Sequence, residues 1–251
     1  MQLLAIGITG LVVGALFGLF GVGGSSFATP LLSLVGLSGF AAIASPLPAT
    51  IPAALVGARQ YAHVGQVDRD VVRWSLVGGV PATIIGALLS RVVGGPALLV
   101  ASGVVLGVVG LRVLRPISAG GVAAGALRRR RPLLVVTIAG FVGLFTGLLA
   151  NGGGFLLVPA YLLVLGLSIR TAAGTSLLVV AALTIPTLAV HWALGHIDWP
   201  AALAFAVGSV PTSWVMSRQA QRIPTQHLQR AFGVLLVAFS IWFVTYRLYI
   251  K

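Results

Sequence analysis

The chain contains no cysteine and, in 251 positions, only three acidic residues, Asp68, Asp70 and Asp198. The first absence excludes a disulfide, a thiolate metal site and a cysteine nucleophile. All three acids fall in short polar turns between apolar runs. This argues against a cation site of membrane-embedded carboxylates and against a paired-carboxylate hydrolase. Zinc-ligand spacing, a Walker-type phosphate loop and a Gly-x-Ser-x-Gly elbow are also missing. No catalytic residue, metal ligand or cofactor is expected, and the chain is not expected to be an enzyme.

What the chain has in excess is apolar length. Its residues are 58% hydrophobic and 8% charged, against about 25% charged in ordinary soluble domains. Several apolar runs reach about 20 residues, enough to cross a ~30 Å hydrocarbon core, and they lack the alternation of strands. The expected class is an all-α polytopic membrane protein. Met1 to Phe20 lacks a basic flank and a small-residue cleavage site, so it is expected to be the first membrane segment rather than a removed signal peptide. The formal charge of +13 does not indicate nucleic acid, because the basic residues sit at segment ends without aromatic interleaving.

Apolar segments are expected at 3–20, 27–37, 42–62, 71–90, 97–114, 133–150, 155–167, 171–192, 200–217 and 228–249. An N-terminal transmembrane repeat (1–114) and a C-terminal one (133–251) flank a basic linker (115–132) that carries Arg128 to Arg131. Gly14, Gly18, Gly23, Gly24 and Pro30 match Gly143, Gly147, Gly152, Gly153 and Pro159 at a shift of 129. After one inserted residue, Gly65, Asp68, Gly78, Val80, Pro81 and Gly103 match Gly195, Asp198, Gly208, Val210, Pro211 and Gly233 at a shift of 130. The shared Gly-x-x-Asp and the Asp-to-Pro spacing of thirteen are hard to obtain by chance.

With about five hydrophobic segments in each repeat, the second copy takes the opposite orientation to the first. Placing the linker in the cytoplasm puts 13 of the 16 basic residues inside and leaves Arg91, Arg247 and Lys251 outside, as the positive-inside rule requires of two inverted-topology repeats.

Each repeat has a glycine-rich break before a short segment: Gly21 to Ser26 before 27–37, and Asn151 to Gly154 before 155–167. Such breaks are expected to be discontinuous or re-entrant helices lining a site, because unpaired backbone is costly in lipid. Free N–H groups of Gly23, Gly24, Gly152 and Gly153, helped by Ser25 and Asn151, suit an anion. The alternative is that these glycines only allow close helix crossing.

A second polar cluster opens the third segment of each half, Ser45-Pro46-Leu47-Pro48-Ala49-Thr50 and Gly174-Thr175-Ser176. Thr50, Thr175 and Ser176 would be hydroxyl partners of the anion, or would simply bond back to the preceding helical turn. Asp68 and Asp198 are expected to cap the helices that follow them. Among groups that titrate, His191 and Tyr61 are the proton-coupling candidates, against an interfacial hydrogen-bonding role.

The set Gly14-x-x-x-Gly18-x-x-Gly21-x-Gly23-Gly24 with Pro30, Gly143-x-x-x-Gly147 with Asn151-Gly-Gly-Gly-Phe155 and Pro159, Ala173-Gly-Thr-Ser176 and the two Gly-x-x-Asp turns resembles the TauE/SafE family of sulfite and organosulfonate exporters. The resemblance covers almost the whole chain. It implies a secondary transporter of the bacterial inner membrane that moves small sulfur-containing or carboxylate anions using the proton gradient. Partners implied are a small anionic substrate and the lipid bilayer, with a homodimer left open and no nucleic acid. A non-transporting membrane scaffold and an anion channel are the alternatives. Ser25-Ser26 and Ser45-Pro46-Leu47-Pro48 depart from the second-half pattern, so the two half-sites are expected to be unequal.

Overall fold

A computed structural model of the chain describes residues 1–22, 25–37, 39–89, 111–113, 132–149 and 154–249. All the regular elements among these residues are helices: α1 (Gln2–Phe20), α2 (Ser25–Leu34), α3 (Gly39–Ala44), α4 (Leu47–His63), α5 (Arg69–Leu89), α6 (Pro132–Leu149), α7 (Gly154–Leu163), α8 (Ile169–Ala193), α9 (Trp199–Ala220) and α10 (Thr225–Tyr249). Nine of the ten expected apolar segments coincide with these helices within a few residues. The segment expected at 97–114 lies outside the described residues except for 111–113, which is helical and receives a hydrogen bond from Gln229 Nε2 to the Val113 carbonyl at 3.2 Å.

Among the described residues, four spans suit a bilayer by length and composition: Gln2–Phe20, Gly39–His63, Arg69–Leu89 and Ile169–Ala193. The helices α2 and α7 do not, since 10 residues each cover only about 15 Å of a ~30 Å core. The short segments are therefore short helices, as their sequence lengths suggested.

Packing follows the small residues. Gly10, Gly14 and Gly18 form one face of α1, and a methyl group added at any of them would strike the main chain of α9 at Phe205, Ser209 or Ser213. On the other side of the fold, methyl groups on Gly143 and Gly147 of α6 would strike α5 at Gly79 and Thr83. These partners are matched positions: Gly14 and Gly143 at a shift of 129, and Gly79 and Ser209 or Thr83 and Ser213 at a shift of 130. The first helix of each half thus packs against the fourth described segment of the other half, α1 on α9 and α5 on α6. In lipid the close approach itself supplies the association energy, through dispersion contacts that larger side chains would prevent.

The helices α4 and α8 lie against each other and against α9 and α5 respectively. Gly39–His63 and Ile169–Ala193 are both 25 residues long and align in sequence at a shift of 130, yet only the second is one helix. The first turns at Ser45–Pro46 and resumes at Leu47. Pro46 and Pro48 explain the difference, because neither donates an N–H and each proline ring clashes with the carbonyl four residues earlier. Pro48 is tolerated in the first turn of α4, and Pro52 alone stands inside it. Asp70, expected in a loop, instead belongs to the first turn of α5; Asp68 ends the loop, and its carboxylate caps that turn.

Candidate functional site

The end of α1 shows how the fold treats backbone carbonyls that a helix cannot satisfy. Gly21 caps α1 in the left-handed region (φ 67°), with its N–H bonded to the Phe17 carbonyl at 2.9 Å. A side chain there would be strained, and its Cβ would also strike the main chain of Ala173 on α8. The remaining carbonyls at this helix end lack intrahelical donors, and water is scarce at membrane depth. Two side chains supply donors. The Tyr61 hydroxyl is within 2.8 Å of the Gly18 carbonyl and 3.1 Å of the Leu19 carbonyl, and Ser176 Oγ shares its proton between the Gly21 carbonyl at 2.8 Å and the Ala173 carbonyl of its own helix at 3.0 Å. Tyr61 and Ser176 are fully buried.

The first glycine break therefore begins against the Ala173–Ser176 stretch of the other half. Gly174 is pressed equally closely, since a methyl group on it would meet the Gln66 carbonyl and the Tyr61 side chain.

Thr175 Oγ1 accepts the Asp68 N–H at 3.0 Å, while Asp68 Oδ1 accepts the N–H groups of Asp70 and Val71 at 3.1 Å. The same arrangement recurs with the halves exchanged: Ser45 Oγ accepts the Asp198 N–H at 3.1 Å, and Asp198 Oδ1 accepts the Ala201 N–H at 3.0 Å. Both aspartates cap their helices as expected. Ser45, though part of the first-half polar cluster, was not among the expected site residues; its match to Thr175 at a shift of 130 was the signal that it has the same partner type.

Thr50 is fully buried and its hydroxyl bonds back to the Pro46 carbonyl at 3.0 Å, the helical-turn alternative left open by the sequence. His191 is half-buried near the end of α8, with Nδ1 3.1 Å from His196 Nδ1, and the His196 ring stacks on Phe40 at 4.3 Å. Tyr61 and His191 occupy matched positions at opposite ends of the α4/α8 pair. Gly23, Gly24, Asn151, Gly152 and Gly153 lie outside the described residues, and Ser25 enters only as the first residue of α2.

The Tyr61 end also gathers basic groups. Arg170 donates to the Ile223 carbonyl, Arg59 Nε lies 3.4 Å from His63 Nε2, and an open cleft of ≈ 570 Å³ is lined by Asp68, Arg69, Asp70, Arg73 and Thr171 among others. At the opposite end, Trp192 and Trp199 are exposed and meet edge to face at 6.2 Å, as aromatic residues at a membrane interface do.

Long apolar helices, intimate glycine packing and polar groups that satisfy broken helix ends together fit a multi-pass α-helical membrane protein. The family profile described as "Sulfite exporter TauE/SafE" matches residues 6–243, and the chain belongs to that family. It is 31% identical over 252 residues to a "Probable membrane transporter protein" of Xylella fastidiosa (strain 9a5c), covering 96% of this chain and 94% of the relative. It is 24% identical over 237 residues to the "Probable membrane transporter protein YjnA" of Bacillus subtilis (strain 168), covering 88% of this chain and 92% of the relative. No solved structure matches the chain.

Proposed function

We propose that this protein is a secondary transporter that exports small anions, sulfite, organosulfonates or related carboxylates, across the bacterial inner membrane by alternating access between two inverted-topology halves. The basic linker faces the cytoplasm, and export is coupled to the proton gradient. The observation that carries this reading is the bond from Ser176 to the Gly21 carbonyl, which joins the start of the first break to the polar cluster of the other half. A ligand at the break would then touch both halves, as a site operated by their relative motion requires.

Backbone donors of Gly23, Gly24, Gly152 and Gly153 hold the anion, with Ser25 and Asn151 as polar side-chain partners; Thr50 and Ser176 already donate their hydroxyl protons to main-chain carbonyls, and Thr175 Oγ1 accepts the Asp68 N–H. Neutral donors suit a transported anion, because full charges would slow its release. His191 carries the coupling proton. Tyr61, the other candidate, has its hydroxyl engaged with the end of α1.

Purified protein in sealed vesicles is expected to give saturable sulfite flux that rises with an imposed proton gradient. Asn151→Leu should reduce that flux at least tenfold; unchanged flux would remove Asn151 from the site. Flux that does not saturate would identify a channel. No flux of sulfite, an organosulfonate or a small carboxylate under any gradient would overturn the transport reading in favour of a scaffold.

A further inference from the structure

The two aspartate turns make the same contact at opposite ends of one helix pair. Ser45 lies just before α4 and Asp68 just after its loop, while Thr175 lies in the second turn of α8 and Asp198 just beyond its end. The bonds Asp68 N–H to Thr175 Oγ1 and Asp198 N–H to Ser45 Oγ therefore clamp an antiparallel α4/α8 pair at both ends. In each, the turn that follows one helix holds the start of the other.

We propose that these two hydrogen bonds are the gate latches of the transporter, one for each membrane face, and that the protein rests with the Thr175 latch closed. The proposal rests on the alternating-access reading above. A site between two halves needs a seal at each end that opens separately. Each seal must be weak enough to break thermally, as a single neutral hydrogen bond is. Each donor is a main-chain N–H, which persists under any substitution except proline. The acceptor hydroxyl is thus the adjustable part of each latch.

The surroundings of the latches set the bias between them. At the Thr175 latch Asp68 is 7% exposed, Gly174 presses against Gln66 and Tyr61, and Ser176 holds the end of α1. At the Ser45 latch Asp198 is exposed and Ala44 stands where Gly174 stands in the other half, while the matched loop residues Val64, Gly65, Leu194 and Gly195 are exposed alike. Less packing must be broken to release Asp198 from Ser45, so that end opens more readily.

The native chain has no cysteine, so Val180→Cys, fully buried midway along α8, gives a single reporter thiol. Its labelling by a membrane-impermeant maleimide is measured from each face of sealed vesicles of both orientations. In that background Ser45→Ala is expected to speed labelling from the Ser45 face about fivefold and slow it from the other, the population change that losing one net hydrogen bond produces. Thr175→Val should do the reverse. Thr175→Ser and Ser45→Thr, which keep the acceptor, should restore the parent pattern. Labelling that does not change, or that changes alike from both faces, overturns the latches. Sulfite flux measured on the parent protein is a separate readout: its absence defeats the transport reading, whereas flux with unchanged sidedness of labelling defeats only the latches.

Discussion

Two ends of one helix pair, built from matched residues, differ in how they are closed. At the Tyr61 end a phenol hydroxyl meets the last carbonyls of α1, a glycine is pressed onto main chain, and Asp68 is buried although Val64 and Gly65 before it are exposed. At the other end the matched position holds His191, bonded to His196 beneath Phe40, and the Asp198 loop is exposed. The hydrogen bond between the aspartate turn and the hydroxyl survives in both, so that contact withstands large changes in its neighbours. At the Tyr61 end the tyrosine and the aspartate are buried; at the His191 end the histidine is half-buried and the aspartate exposed. At matched positions the joint is the same and its surroundings differ.

Matched substitutions in the two halves probe this difference most directly. The largest losses are expected from Gly14→Leu and Gly143→Leu, each driving a branched side chain into the main chain of the facing helix; overpacking costs about 1–3 kcal/mol or more. Both should sharply lower the yield of monodisperse protein in detergent. Equal losses would mean that α1/α9 and α5/α6 are equivalent joints, and a tolerated Gly143→Leu would separate them.

Gly174→Ala comes next, because its methyl group meets both Gln66 and Tyr61. It should lower stability by about 1–3 kcal/mol, read as a fall in the thermal midpoint, whereas the matched Ala44→Gly should cost about 1 kcal/mol or less. Tyr61→Phe strands the Gly18 and Leu19 carbonyls and should cost about 1–3 kcal/mol. His191→Phe, at a half-buried site, should shift the midpoint less. The smallest pair is the caps. Asp198→Ala should cost about 1 kcal/mol, and Asp68→Ala more, since its side chain is buried; chemical denaturation in detergent would show equal losses if burial were unimportant there.

Much of the architecture was legible before any contact was known. Apolar runs marked the described helices because a bilayer requires length and low charge, and both are written locally. The caps at Asp68 and Asp198 were legible for the same reason, since an aspartate three residues after a glycine addresses N–H groups within its own turn. The 25-residue span from Gly39 to His63 was less so: its prolines announced an interruption, but both a kink and a polar cavity lining remained open until Thr50 was seen to bond back to Pro46.

By itself, then, the sequence determined that the chain is helical and apolar, and which turns are capped, because each of these properties depends on neighbours a few residues away. Only the tertiary structure decided that Tyr61 closes the end of α1, that Ser176 meets Gly21 across 155 positions, and that Ser45 and Thr175 take the same partner at opposite ends. Those choices depend on where helices cross. The crossings are set by the fit of glycine faces between halves, a property of two distant segments together that no local periodicity records.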